Sequence, residues 1–318
     1  MNKQIDDLLA TLSEEKDLLT KANILNSLSE EYYNFNRDLS HKYALEALAI
    51  AEKLRDLKEI ITSKLNIASY YYSISEYDTS LIICRWILDN NNGLQDYILI
   101  GRLNRITALN YYRKADYDEA LIYQYKCVEI FEKNKSYQGL SGAFTNIGNI
   151  YLDLEEYDTA LEYYNKAKEH YKLIKNESGL LIVDSNIANV YNNSGRYSEA
   201  IDLYIHLIEE GKKRNDHRAL ASNYSHLGEV YANTNKFEEA EICFNEALEQ
   251  NKINGFKWVE ISGLWGLSRI LQQRKKSKES LALLSTALNM AESTEIKSAI
   301  FNLHASLAEV YEEMEDYK

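Results

Sequence analysis

Proline is missing altogether from the 318 residues of this chain. Average usage of roughly 5% would supply about 16. Proline removes a backbone donor and breaks helix interiors, so its absence suits a chain that is helical nearly throughout. The turns are then left to Gly, Asn, Asp and Ser. Cysteine is scarce as well. Cys84, Cys127 and Cys243 stand far apart with no CxxC spacing, which reads as reduced, small apolar residues in a cytosolic protein. Basic charge is in deficit: the net charge is −13 and the pI near 5.1. That argues against a nucleic-acid scaffold, which needs a basic face to release counterions. No apolar run approaches the ~20 residues of a membrane span, and the acidic start MNKQIDDLLATLSEEK has no apolar signal core. Neither membrane insertion nor nucleic-acid binding is expected, and a cytoplasmic location is.

Catalytic signatures are absent too. There is no HExxH, no P-loop and no GxGxxG. His41, His170, His206, His217, His226 and His304 include no two with metal-ligand spacing on one helix. Acidic pairs such as Glu155–Glu156 and Glu312–Glu313 read as solvated helix faces. No nucleophile stands beside a base in a recognisable pattern. No enzymatic activity, metal or cofactor is expected of these residues. Trp258 and Trp265 read as packing residues rather than a ligand cage.

What is present is a repeat. From residue 61 the chain keeps a register of 40 with no insertion or deletion. Numbering each block from 1, position 8 is Ala68, Ala108, Gly148, Ala188, Gly228, Ser268 and Ala308. Position 20 is Ser80, Ala120, Ala160, Ala200, Ala240 and Ser280, again always small. Position 11 carries Tyr71, Tyr111, Tyr151, Tyr191 and Tyr231, and position 17 Tyr77, Tyr117, Tyr157, Tyr197 and Phe237. Small residues let paired helices approach closely while aromatics fill the space beside them. Each block then holds two helices of about 16 residues, some 24 Å long, separated by turns such as NNNGLQ, KNESG and RNDHR.

These columns divide the chain into an N-terminal capping helix (1–20), a degenerate first repeat (21–60), six repeats (61–300) and the first helix of a further, incomplete repeat (301–318). Ser13, Glu14 and Glu15 read as a helix start. The block at 261 diverges, with Leu271 and Ser277 in place of aromatics. The last helix is expected to leave part of its apolar face uncovered, which suggests that the native chain continues past Lys318 and offers a surface for self-association.

The segments NIGNIYLDLEEYDTALEYYNKA and SHLGEVYANTNKFEEAEICFNEA resemble the tetratricopeptide repeat, over about residues 21–318. Two departures are a period of 40 rather than 34 and the missing closing proline. Longer repeats of this kind are similar to those of kinesin light chain, LGN-type adaptors, bacterial Rap-type regulators and the regions that precede output domains in bacterial signalling proteins. The resemblance implies an all-α, right-handed superhelical solenoid whose first helices line a concave groove. It further implies a protein- or peptide-binding scaffold, the sensory or docking module of a cytoplasmic signalling protein. The alternative is the N-terminal regulatory region of a longer histidine kinase, cyclase or phosphatase.

On the first helices, positions 2, 5, 6, 9, 12 and 13 form a stripe beside the packed residues. It carries Arg102, Arg105 and Arg113 in block 101, and Asn146 and Asn149 in block 141. Block 181 adds Asn186, Asn189 and Asn193, block 221 His226 and Glu229, and block 261 Arg269. An Asn amide both donates and accepts, as a peptide backbone demands, and Asn is a mediocre helix former. The asparagines read either as peptide-binding groups or as a merely solvated polar face. The arginines read either as a site for a carboxylate or as partners of this protein's own acids. Exchanging Asn149 and Asn189 for Ala is expected to weaken a peptide ligand and leave folding intact.

Overall fold

A computed structural model describes residues 3–91, 95–253, 255–294 and 296–316. All of its described secondary structure is helical, in two compact units. Unit 1, Met1–Asn176, holds α1 (Lys3–Glu14), α2 (Leu18–Tyr32), α3 (Arg37–Leu54), α4 (Leu57–Ser73), α5 (Tyr77–Asn90), α6 (Tyr97–Arg113), α7 (Tyr117–Lys133), α8 (Tyr137–Asp153) and α9 (Tyr157–Leu173). Unit 2, Glu177–Lys318, holds α10 (Glu177–Asn193), α11 (Tyr197–Arg214), α12 (His217–Asn233), α13 (Phe237–Asn251), α14 (Lys257–Gln273), α15 (Ser277–Ser293) and α16 (Lys297–Asp316). Asn92, Gly93 and Leu94 of the NNNGLQ turn, and Tyr317 and Lys318, lie outside the described residues.

The small-residue columns are the contact surfaces they were expected to be. Ala68, Ala108, Ala120, Ala160, Ala188, Ala200 and Ala240 are all fully buried. Ser80 is buried too, and its hydroxyl donates to the Ala68 carbonyl at 2.8 Å, so the two helices of a repeat are hydrogen-bonded where they touch. At Gly148 a Cβ would lie 2.6 Å from the Tyr164 ring, so here only glycine fits beside that phenol. Position 24 carries Tyr164, Tyr204 and Phe244, the largest fully buried side chains. The tyrosines of position 11 sit at the edge of the packing, half-buried.

Helix ends follow a rule the sequence concealed. A residue with positive φ recurs every 20 residues from Lys135 through Glu155, Lys175, Gly195, Asn215, Asn235 and Gly255 to Lys275, and earlier at Arg55, Ser75 and Ala115. The residue after it donates back across the turn, as in Glu156 N to Tyr151 O at 2.9 Å and Lys276 N to Leu271 O at 2.9 Å. This left-handed closure satisfies the last carbonyls of the helix. Most of these positions hold Lys, Glu, Arg or Ala, so the expectation that Gly, Asn, Asp and Ser alone make the turns is corrected. The first helices α4, α6, α8 and α12 start on the side chains of Asp56, Asp96, Ser136 and Asp216, which accept from the helix N-terminus.

One expected start is misplaced. Ser13, Glu14 and Glu15 do not open a helix; α1 ends at Glu14, and Asp17 caps α2 by accepting from Thr20 N at 2.8 Å. Asp17 reaches that amide from the extended residue before the helix, where a capping side chain belongs. In unit 2 the divergent α14 and α15 keep the packing, with Leu284 and Ala287 fully buried. α16 turns Leu303, Leu307 and Val310 inward and leaves Phe301 and Tyr311 exposed.

Candidate peptide-binding faces of the first helices

In unit 1 the polar stripe of α2, α4 and α6 is tied together by buried groups. Asn26 donates to the Glu59 carboxylate at 2.9 Å and accepts from Ser63 at 3.0 Å. Asn66 donates weakly to Asn26 and accepts from Arg102 at 2.7 Å. Arg102 also pairs with Glu30 at 2.5 Å. Of the two readings of the arginines, Arg102 therefore takes the second: it is matched by the protein's own acid. Arg113 donates to the Tyr72 hydroxyl at 3.2 Å. Arg105 is exposed and has no ion pair or hydrogen bond among the described residues. It lines a cavity of about 370 Å³ together with Tyr33, Tyr72, Ile98 and Ile106.

The asparagines divide in the same way. In unit 1 the Tyr164 hydroxyl donates to Asn149 Oδ1 at 2.7 Å, and in unit 2 the Tyr204 hydroxyl donates to Asn189 Oδ1 at 2.5 Å. Burial pushes both phenols far up, so they stay protonated and donate. Asn149 and Asn189 thus answer buried hydroxyls. The expectation that their replacement by Ala leaves folding intact is corrected, because each would strand a buried donor. Asn146 is half-buried and Asn193 exposed, neither with a partner among the described residues, while Asn186 is engaged. The position 9–24 pairing was legible as a covariation within the chain. Asn149 and Asn189 face Tyr164 and Tyr204, whereas the other blocks pair Ser69 with Cys84, Leu109 with Gln124, Glu229 with Phe244 and Arg269 with Leu284.

In unit 2, α12 and α14 bring His226, Glu229 and Arg269 together. Glu229 lies 3.6 Å from His226 Nδ1 and accepts from Ser262 at 3.0 Å. Burial pushes its carboxyl up, but His226, Ser262 and Arg269 outweigh that and hold it below the ordinary value. His226 is stacked between Tyr204 and Trp258 at 5.8 and 6.0 Å. Trp258 packs against His226 with part of its ring exposed. Trp265 donates to Ser306 at 2.9 Å and lines a second polar cavity of about 390 Å³ with Arg269.

The three cysteines are free and buried. Burial raises the thiols of Cys84 to about 11 and of Cys127 and Cys243 to about 12, so they remain neutral. No helix among the described residues is long and apolar enough to cross a membrane.

Comparison with known proteins places this geometry. Residues 101–173 and 179–252 match the tetratricopeptide repeat model, and residues 1–97 match the SusR N-terminal TPR domain. A search of curated proteins finds no match. Among solved structures, the chain is similar to NprR in complex with its cognate peptide NprX, at 16% identity and a TM-score of 0.68, covering 99% of this chain and 85% of that one. It is similar to a Rap protein complexed with Competence and Sporulation Factor, at 15% identity and a TM-score of 0.64, covering 99% and 80%. A tetratricopeptide repeat protein from Parabacteroides merdae matches at 13% identity and a TM-score of 0.60, covering 89% and 98%. At these identities the likeness speaks for the fold. With small residues buried at both helix contacts of the repeat and two repeat models matching along residues 1–252, the chain belongs to the tetratricopeptide-repeat family.

Proposed function

We propose that the protein is a non-enzymatic scaffold that holds an extended peptide, or an extended segment of a partner protein, on the polar faces of its first helices. The observation that carries this reading is the pinned carboxamide. A buried tyrosine hydroxyl fixes the oxygen of Asn149 in unit 1 and of Asn189 in unit 2, so the amide is oriented before any ligand arrives. At Asn189 the two N–H donors have no partner among the described residues. A preset amide loses less freedom on binding than a mobile one. Asn146 adds an unpartnered amide to the first-helix face of unit 1 and Asn193 one to that of unit 2, where Asn186 belongs by position. The peptide complexes named for NprR and a Rap protein support the reading by likeness of fold.

The test separates binding from folding. Asn189→Asp keeps an oxygen for Tyr204 and removes the N–H donors, and Asn146→Ala removes a group with no internal partner. Each is expected to weaken binding of a fluorescein-labelled degenerate octapeptide pool about fivefold, the value of one ordinary hydrogen bond, with an unchanged unfolding midpoint. Equal affinity of both variants and wild type in fluorescence anisotropy would sink the reading.

A second reading has its own support. The model matching residues 1–97 describes an N-terminal domain, and a structural neighbour is a signal-transduction ATPase with a tetratricopeptide repeat sensor, of which 39% is covered. On this reading the repeats are the cytoplasmic sensory region of a longer signalling protein. The coding sequence after Lys318 decides it: a stop codon there rules it out. Self-association through the exposed side of α16 is tested by sedimentation of Phe301→Ser; an unchanged monomer–dimer distribution removes that surface.

A further inference from the structure

We propose that Arg105 in unit 1 is the recognition point for an acidic side chain, Asp or Glu, inside the bound peptide. This deepens the peptide-binding reading and rests on it.

The chain has 49 acidic residues against 36 basic ones. An arginine in the middle of a helix face would ordinarily find one of those acids. Arg102, one turn earlier, does so, with Glu30 on one side and Asn66 on the other. Arg105 finds none. The groups whose charge it feels are Arg102, Cys127, Tyr33 and Tyr72, drawn from α6, α7, α2 and α4. Burial raises the Cys127 thiol to about 12 and pushes the Tyr33 phenol up, so neither offers Arg105 an anion. Desolvation by the protein around the head group and the neighbouring Arg102 both work against the Arg105 charge, so an incoming anion relieves an existing cost.

The chemistry of the wall narrows the ligand. Among the described residues, Glu30 is the one acid that lines the cavity, and it is already matched to Arg102. The wall therefore carries a single uncompensated positive charge, which suits the monoanion of a carboxylate better than a phosphate dianion. A planar guanidinium fits a carboxylate through two parallel bonds. Tyr33 and Tyr72 line the same cavity and bring phenol groups to it, while Ile98, Ile106 and Leu109 receive apolar neighbours of the acid. Arg105 also lines a second cavity, of about 340 Å³, beside α7 and α8. Arg105 thus borders two cavities, and room on more than one side of this residue favours a side chain along a passing peptide over a chain end.

The experiment uses fluorescein-labelled, C-terminally amidated octapeptide pools. Glu, Gln or Lys is fixed at the fourth position and the other positions are degenerate among uncharged residues. Fluorescence anisotropy with the whole chain is expected to show the Glu pool binding about 10-fold tighter than the Gln pool, as a charge-assisted bidentate pair should. In Arg105→Gln that preference disappears, while affinity for the Gln pool and the unfolding midpoint stay as in wild type. Arg105→Lys keeps part of the preference. A preference for Glu that survives Arg105→Gln overturns the proposal, as does binding of all pools with no preference in wild type; in both cases peptide binding itself stands. Arg105-dependent binding of an uncharged pool with a free C-terminus overturns the side-chain assignment in favour of a terminal carboxylate. No binding of any pool brings down the peptide-binding reading, and this proposal with it.

Discussion

The first-helix faces of the two units are built on one frame and wired differently. In unit 2 the charges close on one another: Glu229 meets His226 and Ser262 and feels Arg269, whose long contact is with Asn233 at 3.5 Å. In unit 1 Arg102 closes on Glu30 and Asn66, but Arg105 beside it is left open. The two units also treat a carboxylate oppositely. Burial raises Glu59 in unit 1, whereas the groups around Glu229 hold it down in unit 2. The difference shows that a polar stripe on a repeat array is not one functional surface. Its closed parts stabilise the stack, and only its open parts are available to a ligand.

Each face rests on helix pairs packed through small residues, and breaking that packing should produce the largest effect. Ala160→Leu in unit 1 and Ala240→Leu in unit 2 each force a larger side chain into a fully buried contact. Both should cost about 1–3 kcal/mol in denaturant unfolding. A neutral result in either unit would mean that the repeats there are not packed through position 20.

The tyrosine–asparagine pairs come next. Asn189→Ala should cost up to about 2 kcal/mol by stranding the Tyr204 hydroxyl. Tyr204→Phe made in that background should recover most of the loss, because no hydroxyl is then left in need of an acceptor. Additive losses in this double-mutant cycle would show that the pair is not coupled. The same cycle at Asn149 and Tyr164 asks whether unit 1 repeats the arrangement. Block 221, with Phe244 at position 24 and Glu229 at position 9, already has neither partner.

The smallest expected effect concerns pH. Glu229 has a folded value below 4.5, so its contribution is present above 4.5 and is lost as the pH falls through its folded value. Glu59 has a folded value above 4.5, so its contribution is complete below 4.5 and is lost as the pH rises through its folded value. On acidification, hydrogen-exchange protection should rise in α4 as Glu59 takes up its proton and fall in α12 below pH 4.5. Protection moving in one direction in both helices would remove the distinction between the units.

Much of the fold is legible in residue spacing alone. Ala68, Ala120 and Gly148 recur at fixed positions because close helix contact excludes larger side chains, and such a column survives as a pattern in the chain itself. The helix ends are less legible. A left-handed residue carries a sterically modest cost that a Schellman closure can absorb, so Lys135 and Glu155 stand where Gly or Asn was expected. Asp17 was missed because Ser13 with two acids behind it makes an equally good local start, and only the preceding helix decides between them. At the candidate site the residue types are legible and their states are not. Arg102, Arg105 and Arg113 look alike in sequence, yet the first is paired, the second open and the third bonded to Tyr72.

Repeat length, helix register and the packed face of each helix were settled by the order of the residues. All three follow from periodicity, which depends on residues within a few turns of one another. Which polar groups already have partners was settled by the folded arrangement and by nothing local. Arg102 and Glu30 are 72 residues apart, and Tyr164 and Asn149 belong to different helices. A hydrogen bond fails over less than an ångström of misplacement, so the sums of rotamers and helix packing that bring Arg102 to an acid and leave Arg105 without one are not written in any local pattern.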